Sequence, residues 1–132
     1  MKIHHIAYLV KDLEESCVHF CVAMGCECIG DVVEDKIQTA KVLFLKTDKD
    51  SPMIELITPN SDDSKLTNLL KKTGGGIHHI CYETSDIEAR IKVMADNGFL
   101  QIANPEKAVA FGSRKIAWLM DAKGILIELL EV

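Results

Sequence analysis

No run or stripe of basic residues is available here to track a nucleic-acid backbone. Acids and bases are interspersed at a net charge of −5, which argues against nucleic acid as a partner. No apolar run approaches the length of a membrane span. The opening Met1-Lys2-Ile3-His4-His5 lacks the long apolar core of a secretory signal, so a cytoplasmic protein is expected. The cysteines are odd in number, Cys17, Cys21, Cys26, Cys28 and Cys81, and include no C-x-x-C pair. That fits neither a disulfide framework nor a zinc knuckle. Cys17 and Cys21 read as reduced thiols on the inner face of a helix. Aromatics are scarce, with one Trp, two Tyr and four Phe, too few for an aromatic-lined groove.

What is present is repetition. Ile3-His4-His5-Ile6-Ala7-Tyr8 recurs as Ile77-His78-His79-Ile80-Cys81-Tyr82, 74 positions later. Lys41-Val42-Leu43-Phe44-Leu45 recurs at the same offset as Lys115-Ile116-Ala117-Trp118-Leu119. Ile54-Glu55-Leu56-Ile57 recurs as Ile127-Glu128-Leu129-Leu130, 73 positions on. Two copies are too few for a solenoid. A pseudo-symmetric pair sharing one sheet is expected, within a single domain of 132 residues.

The pattern predicts the same element order in each copy. Residues 2–10 alternate as a strand does. Asp12 and Glu15 then resemble a capping box. Leu13, Cys17, Phe20, Cys21 and Met24 form one apolar stripe of a helix that Gly25 ends. Strands are expected near 26–35, 40–47 and 52–58. The second copy begins with a strand near 76–83. A helix follows from Ser85-Asp86 with Ile87, Ile91 and Met94 inward and Gly98 at its end. Strands near 99–104, 113–120 and 124–131 complete it. Each copy is therefore β-α-β-β-β. The first module runs to about residue 60 and the second starts at about 75. Between them, 61–74 is a turn-rich linker with a short helix near 65–72. Residues 104–112 read as a loop over one face.

Each copy carries an equivalent pair of histidines and an equivalent glutamate. Strand side chains alternate faces, so Glu55 shares a face with Met53 and Ile57, and Glu128 with Leu126 and Leu130. A carboxylate set among apolar residues costs several kcal/mol unless a cation compensates it. Two such glutamates, each about 50 residues after an equivalent histidine, point to four ligands on one metal. Imidazole with carboxylate and no thiolate suits Ni, Co, Mn, Fe or Zn, and strand-borne ligands leave an open, catalytic side. Parity sends His4 and His5 to opposite faces without choosing between them.

These segments resemble the vicinal oxygen chelate superfamily, the glyoxalase and methylmalonyl-CoA epimerase group, over essentially the whole chain. The carrying motifs are His5-Ile6-Ala7-Tyr8-Leu9-Val10-Lys11-Asp12-Leu13, Ile54-Glu55-Leu56-Ile57-Thr58-Pro59, Gly76-Ile77-His78-His79-Ile80 and Gly124-Ile125-Leu126-Ile127-Glu128-Leu129. The resemblance implies an α+β fold, two tandem βαβββ modules forming a curved mixed sheet around a metal-binding cleft. It puts the metal ligands at His5, Glu55, His79 and Glu128, and leaves His4 and His78 to packing or to support of the ligands. It implies an enzyme that moves a proton beside a carbonyl through an enediolate, with Glu128 as base and Glu55 as a second base.

Two activities are implied. The His-Glu-His-Glu set is that of glyoxalase I, which isomerises the hemithioacetal of methylglyoxal and a thiol to a lactoyl thioester; this is the first expectation. The alternative is methylmalonyl-CoA epimerase, some members of which use a separate glutamate near the first module's third strand. Here the nearest residues are Gln38 and Lys41. Lys71, Lys72, Lys107, Arg114 and Lys115 are available as an anion site for a CoA substrate. A third expectation, from another class, is a metal-free antibiotic-binding protein of the same fold, which the intact ligand set and the scarcity of aromatics disfavour. The resemblance and the sheet edges together suggest a homodimer.

Overall fold

In the computed structural model, which describes all 132 residues, the alternating segment Lys2–Leu9 is strand β1. His5, Ala7 and Leu9 are buried at every second position, the period of a strand with one covered face. Helix α1 (Leu13–Met24) starts where the Asp12 carboxylate accepts the Glu15 backbone N–H at 2.9 Å. It stops at Gly25, whose φ of 66° is left-handed, the conformation that glycine adopts without strain. Strands β2 (Glu27–Asp35), β3 (Ala40–Lys46) and β4 (Met53–Pro59) follow, then helix α2 (Thr67–Thr73). The second copy gives β5 (Gly76–Thr84), α3 (Ile87–Asp96), β6 (Leu100–Gln101), β7 (Glu106–Lys107), β8 (Lys115–Met120) and β9 (Leu126–Glu131). Asp86 caps α3 by accepting the Ala89 N–H at 2.9 Å, as Asp12 caps α1. The expected βαβββ order is present twice, with β7 added to the second copy. The fold is α+β, and no helix is long and apolar enough to cross a membrane.

The chain divides into two compact units: a middle unit, Ile6–His78, and a terminal unit made of Met1–His5 and His79–Val132. In the middle unit the strand order is β2-β3-β4-β1, and the antiparallel β3–β4 register sets Phe44 opposite Glu55. Leu13, Cys26, Leu45 and Leu56 form its core, with Tyr8, Val10, Cys17, Phe20, Cys21 and Ile54 packed against them. Ile54 and Leu56 thus face α1. Glu55, between them, takes the other face.

In the terminal unit the order is β1-β5-β9-β8-β6, with β7 paired to β8. β5 and β9 run parallel while β8 and β9 run antiparallel, so the sheet is mixed. Ile87 and Ile91 of α3 pack on Ala117, Leu119 and Leu129. Trp118 and Glu128 alternate with these residues, are register partners across β8 and β9, and occupy the face turned from α3.

Four local expectations differ from the structure. Met24 is 49% exposed rather than inward, because it lies in the last turn beside the capping glycine. α3 ends at Asp96 with Asn97 as its cap, before Gly98. The strand expected over 99–104 is reduced to Leu100–Gln101. Leu100 and Ile102 are exposed, so no buried face extends it, and Pro105 has no N–H to offer a ladder. Residues 104–112 are not plain loop: β7 and a 3-10 turn at Val109–Phe111 lie there. The Ala108 N–H donates to Arg114 O and the Ser113 N–H to Ala108 O, both at 3.0 Å.

Candidate metal centre

Three adjacent strands of the terminal unit, β1, β5 and β9, bring His5, His79 and Glu128 together. All three side chains are buried. His5 Nε2 and His79 Nε2 lie 3.1 Å apart, and Glu128 Oε2 is 3.2 Å from each. The three atoms form a nearly equilateral triangle. Glu128 Oε2 is within charge range of both rings yet receives no well-aligned hydrogen bond, so a buried carboxylate oxygen lacks the partner it requires. Donors about 2.1 Å from one cation lie about 3.0 Å apart at a right angle and about 3.4 Å apart at the tetrahedral angle. The observed edges fall between, and the donor types match a divalent cation of borderline hardness. The residues fit such an ion.

Burial alone would push the Glu128 carboxyl upward. The contacts and charge of His5 and His79 overcome that and bring it down to about 2. It is therefore ionised at neutral pH, as a metal ligand has to be.

The surroundings hold the two rings in place. His4 Nδ1 and His5 Nδ1 are hydrogen-bonded at 2.9 Å, which leaves His5 Nε2 for the triangle. Burial, followed by the neighbouring His5, lowers His4 to about 4, so His4 is a neutral partner at pH 7. The Phe111 ring stacks on His5 at 5.5 Å and meets His4 edge-on at 5.3 Å. Trp118 meets His79 edge-on at 4.6 Å. The buried Cys81 thiol lies within 4.8 Å of ring nitrogens of both His4 and His5, and Cys81 is the register partner of Glu128.

Of the four expected ligands, then, the terminal unit assembles three. Glu55 lies in the middle unit, 4% exposed, opposite Phe44. Its local setting repeats that of Glu128, each carboxylate having an aromatic register partner and helix-facing leucine on the next residue. His4 has the supporting role the resemblance implied, whereas Phe111 and Trp118 were missed in sequence. The match of Phe44 to Trp118 within the repeat was an available signal for Trp118, whereas Phe111 carried none.

Of the basic residues suggested for an anion site, Lys107 and Lys115 are register partners across β7 and β8, with Arg114 next to Lys115. Lys71 and Lys72 are in the last turn of α2. Lys115 Nζ is 3.6 Å from Glu88 on the surface, and Arg114 Nε donates to Phe111 O. Lys71 does line a cavity of about 790 Å³ in the middle unit, with Lys11, Thr58, Asn60 and Thr67. There Thr58 donates to Lys11 O, Thr67 to Ser61 O and Asn60 to Glu34, so these three donors are engaged within the protein.

A family model described as the Glyoxalase/Bleomycin resistance protein/Dioxygenase superfamily matches residues 4–118. The chain is 29% identical to the ethylmalonyl-CoA/methylmalonyl-CoA epimerase of Cereibacter sphaeroides, covering 99% of this chain and 98% of that protein. It is 32% identical to the mitochondrial methylmalonyl-CoA epimerase of Dictyostelium discoideum, covering 98% and 78%. A variant of Streptomyces coelicolor methylmalonyl-CoA epimerase, solved in complex with 2-nitronate-propionyl-CoA, is similar at a TM-score of 0.85 and 26% identity, covering 99% and 96%.

Proposed function

The chain belongs to the Glyoxalase/Bleomycin resistance protein/Dioxygenase superfamily, and on that premise we propose that it epimerises methylmalonyl-CoA or a close 2-substituted malonyl-CoA thioester. The observation that carries this reading is the end-to-end likeness to proteins named as epimerases of such thioesters. The buried triangle of His5, His79 and Glu128 supports it by offering a place for a cation. The relatives favour the epimerase over the thiol-hemithioacetal isomerase that the ligand set brought forward first.

In such a substrate the C2 hydrogen lies between a thioester carbonyl and a carboxylate. Epimerisation removes that proton and returns one to the opposite face. A divalent ion of Ni, Co, Mn, Fe or Zn type, held by His5, His79 and Glu128, would supply a Lewis acid for the substrate oxygens.

The chain's own groups do the rest. His5 and His79 offer imidazole nitrogens, and Glu128 brings the negative charge of the trio. Phe111 and Trp118 pack beside the two imidazoles and help to keep water from them. A carboxyl held near 2 is a weak base, so Glu128 accepts the C2 proton only after leaving its two histidines. Glu55, buried at the matching register position of its own unit, is the fourth ligand and second proton-moving carboxylate in this reading, on the strength of the repeat. The same carboxylate favours, as a second reading, the isomerisation of a thiol hemithioacetal.

The test is deuterium incorporation at C2 of methylmalonyl-CoA in deuterated water by cation-loaded protein. Methylglyoxal with glutathione is run in parallel, and Glu128→Gln is the control. Exchange into the CoA ester that the variant loses supports the epimerase. Turnover of the hemithioacetal alone moves the assignment to the second reading, and silence on both substrates overturns the two together.

A further inference from the structure

Four of the five cysteines crowd one corner of the middle unit. Cys17 and Cys21 are one turn apart on α1, on the side that packs against Leu13, Cys26, Leu45 and Leu56. Cys26 and Cys28 are two residues apart where the chain enters β2, and so share a face. Cys26 is buried at 6% exposure, while Cys28 is exposed and points its Sγ to Gly30 O at 3.8 Å. Cys28 is the register partner of Leu45, a member of the cluster that Cys17 and Cys21 pack against, and both Cys28 and Cys21 bear on the Cys17 thiol. None of these side chains takes part in the centre built by His5, His79 and Glu128.

We propose that Cys17 and Cys28 form a redox-active dithiol that a hydroperoxide converts into an intramolecular disulfide. Helix geometry and burial narrow the pairing to Cys28 with a thiol of α1, and of the two on α1 it is Cys17 on which the Cys28 thiol bears. Neighbours one turn apart on a helix keep their Cβ atoms about 5–6 Å apart, whereas a disulfide draws them to about 3.8 Å, so Cys17 and Cys21 join only if α1 unwinds. Cys26 is shut inside the core, away from a soluble oxidant. Cys28 is open to solvent on β2, the end strand of its sheet. The β2–β3 register is irregular just beyond it, between Ile29 and Val33, and Gly30 has a φ of 71°. The backbone there, outside regular pairing, can adjust as the bond closes.

The chemistry balances with a hydroperoxide as the two-electron oxidant. Cys28, as thiolate, attacks the O–O bond to give a sulfenic acid and an alcohol, or water if the oxidant is hydrogen peroxide. The Cys17 sulfur then displaces the sulfenic hydroxyl, forming the S–S bond and releasing water that carries away the Cys17 proton. Burial and the two neighbouring thiols push Cys17 up to about 11, which makes it the protonated, resolving partner rather than the first to react.

The experiment treats the reduced full chain with hydrogen peroxide, blocks remaining thiols with iodoacetamide and maps the protein without reduction. Trypsin alone is uninformative, because all four cysteines fall in the single fragment 12–36. Cleavage after Glu27 separates Cys28 from the other three. The expected result is a fall from five alkylated cysteines to three, with fragments 16–27 and 28–34 linked at Cys17. The link persists in Cys21→Ser and is lost in Cys17→Ala, whose thermal melt in the reduced state reports its folding. Oxidised wild-type protein with unlinked fragments, or a link made through Cys21 or Cys26, overturns the proposal without reference to any variant.

Discussion

His5 and His79, 74 positions apart in sequence, bring their Nε2 atoms to 3.1 Å, and the other nitrogen of His5 is held by His4 at 2.9 Å. A ligating imidazole is oriented by whatever its second nitrogen bonds, and loss of such a partner costs about 10–100-fold in metal affinity. His4→Phe should therefore weaken cobalt binding to the cation-free protein by that factor while the fold stays intact. His5→Ala, His79→Ala and Glu128→Gln should each weaken it further. Isothermal titration with Co(II) measures all four. Unchanged affinity in His4→Phe would mean that packing against Phe111 alone orients His5.

Acid should destabilise the cation-free protein in two stages. His4 moves from its ordinary 6.5 down to about 4 on folding. Between those values the unfolded chain takes up a proton that the folded one refuses, so stability falls as pH drops through that window. Glu128 moves from 4.5 down to about 2. Its contribution is fully present above 4.5 and is lost as pH falls towards 2. Thermal melts from pH 7 to pH 2 should show His4→Phe flattening the upper stage and Glu128→Gln the lower, each judged against its own pH 7 value. A variant with an unaltered profile would remove that residue from the account.

Leu129 is fully buried between α3 and the sheet, on the face opposite Glu128. Leu129→Ala should cost about 2–5 kcal/mol through lost burial and the cavity left behind. Leu100→Ala, at a side chain 75% exposed, should change stability by less than about 0.5 kcal/mol. Urea unfolding of both variants provides the comparison, and equal costs would contradict the assigned core.

The glycines before β5 should differ in tolerance. A Cβ at Gly74 meets nothing within 4 Å, so only its φ of 75° opposes alanine, about 1 kcal/mol. At Gly75, φ is 105° and a Cβ would stand 2.5 Å from the Leu9 carbonyl oxygen. Gly75→Ala should cost about 3 kcal/mol or more, since either the residue or β1 has to shift. Chemical denaturation of the pair reads the difference.

Local order was legible before any coordinates. Asp12, Gly25 and Asp86 marked helix ends because capping depends on residues three or four apart. The alternation of Ile54, Glu55 and Leu56 told which side chain would leave the helix-facing side, because parity is a property of the strand itself. The strand over 99–104 failed for the complementary reason: apolar residues such as Leu100 and Ile102 hold a strand only if something covers them, and nothing in the chain's own pattern reports that.

By itself, then, the sequence determined the duplicated element order and the placement of one buried glutamate and a histidine pair per copy. These follow from periodicity and repetition, which act between neighbours along the chain. Only the tertiary structure decided that His5 turns Nε2 towards His79 and Glu128 while His4 supports it from behind. It also decided that Phe111 and Trp118 pack against the rings, and that the cysteines of α1 gather against Cys26 in the middle unit. Those meetings depend on strand order, register and how each helix packs on its sheet, which side chains distant in sequence satisfy together.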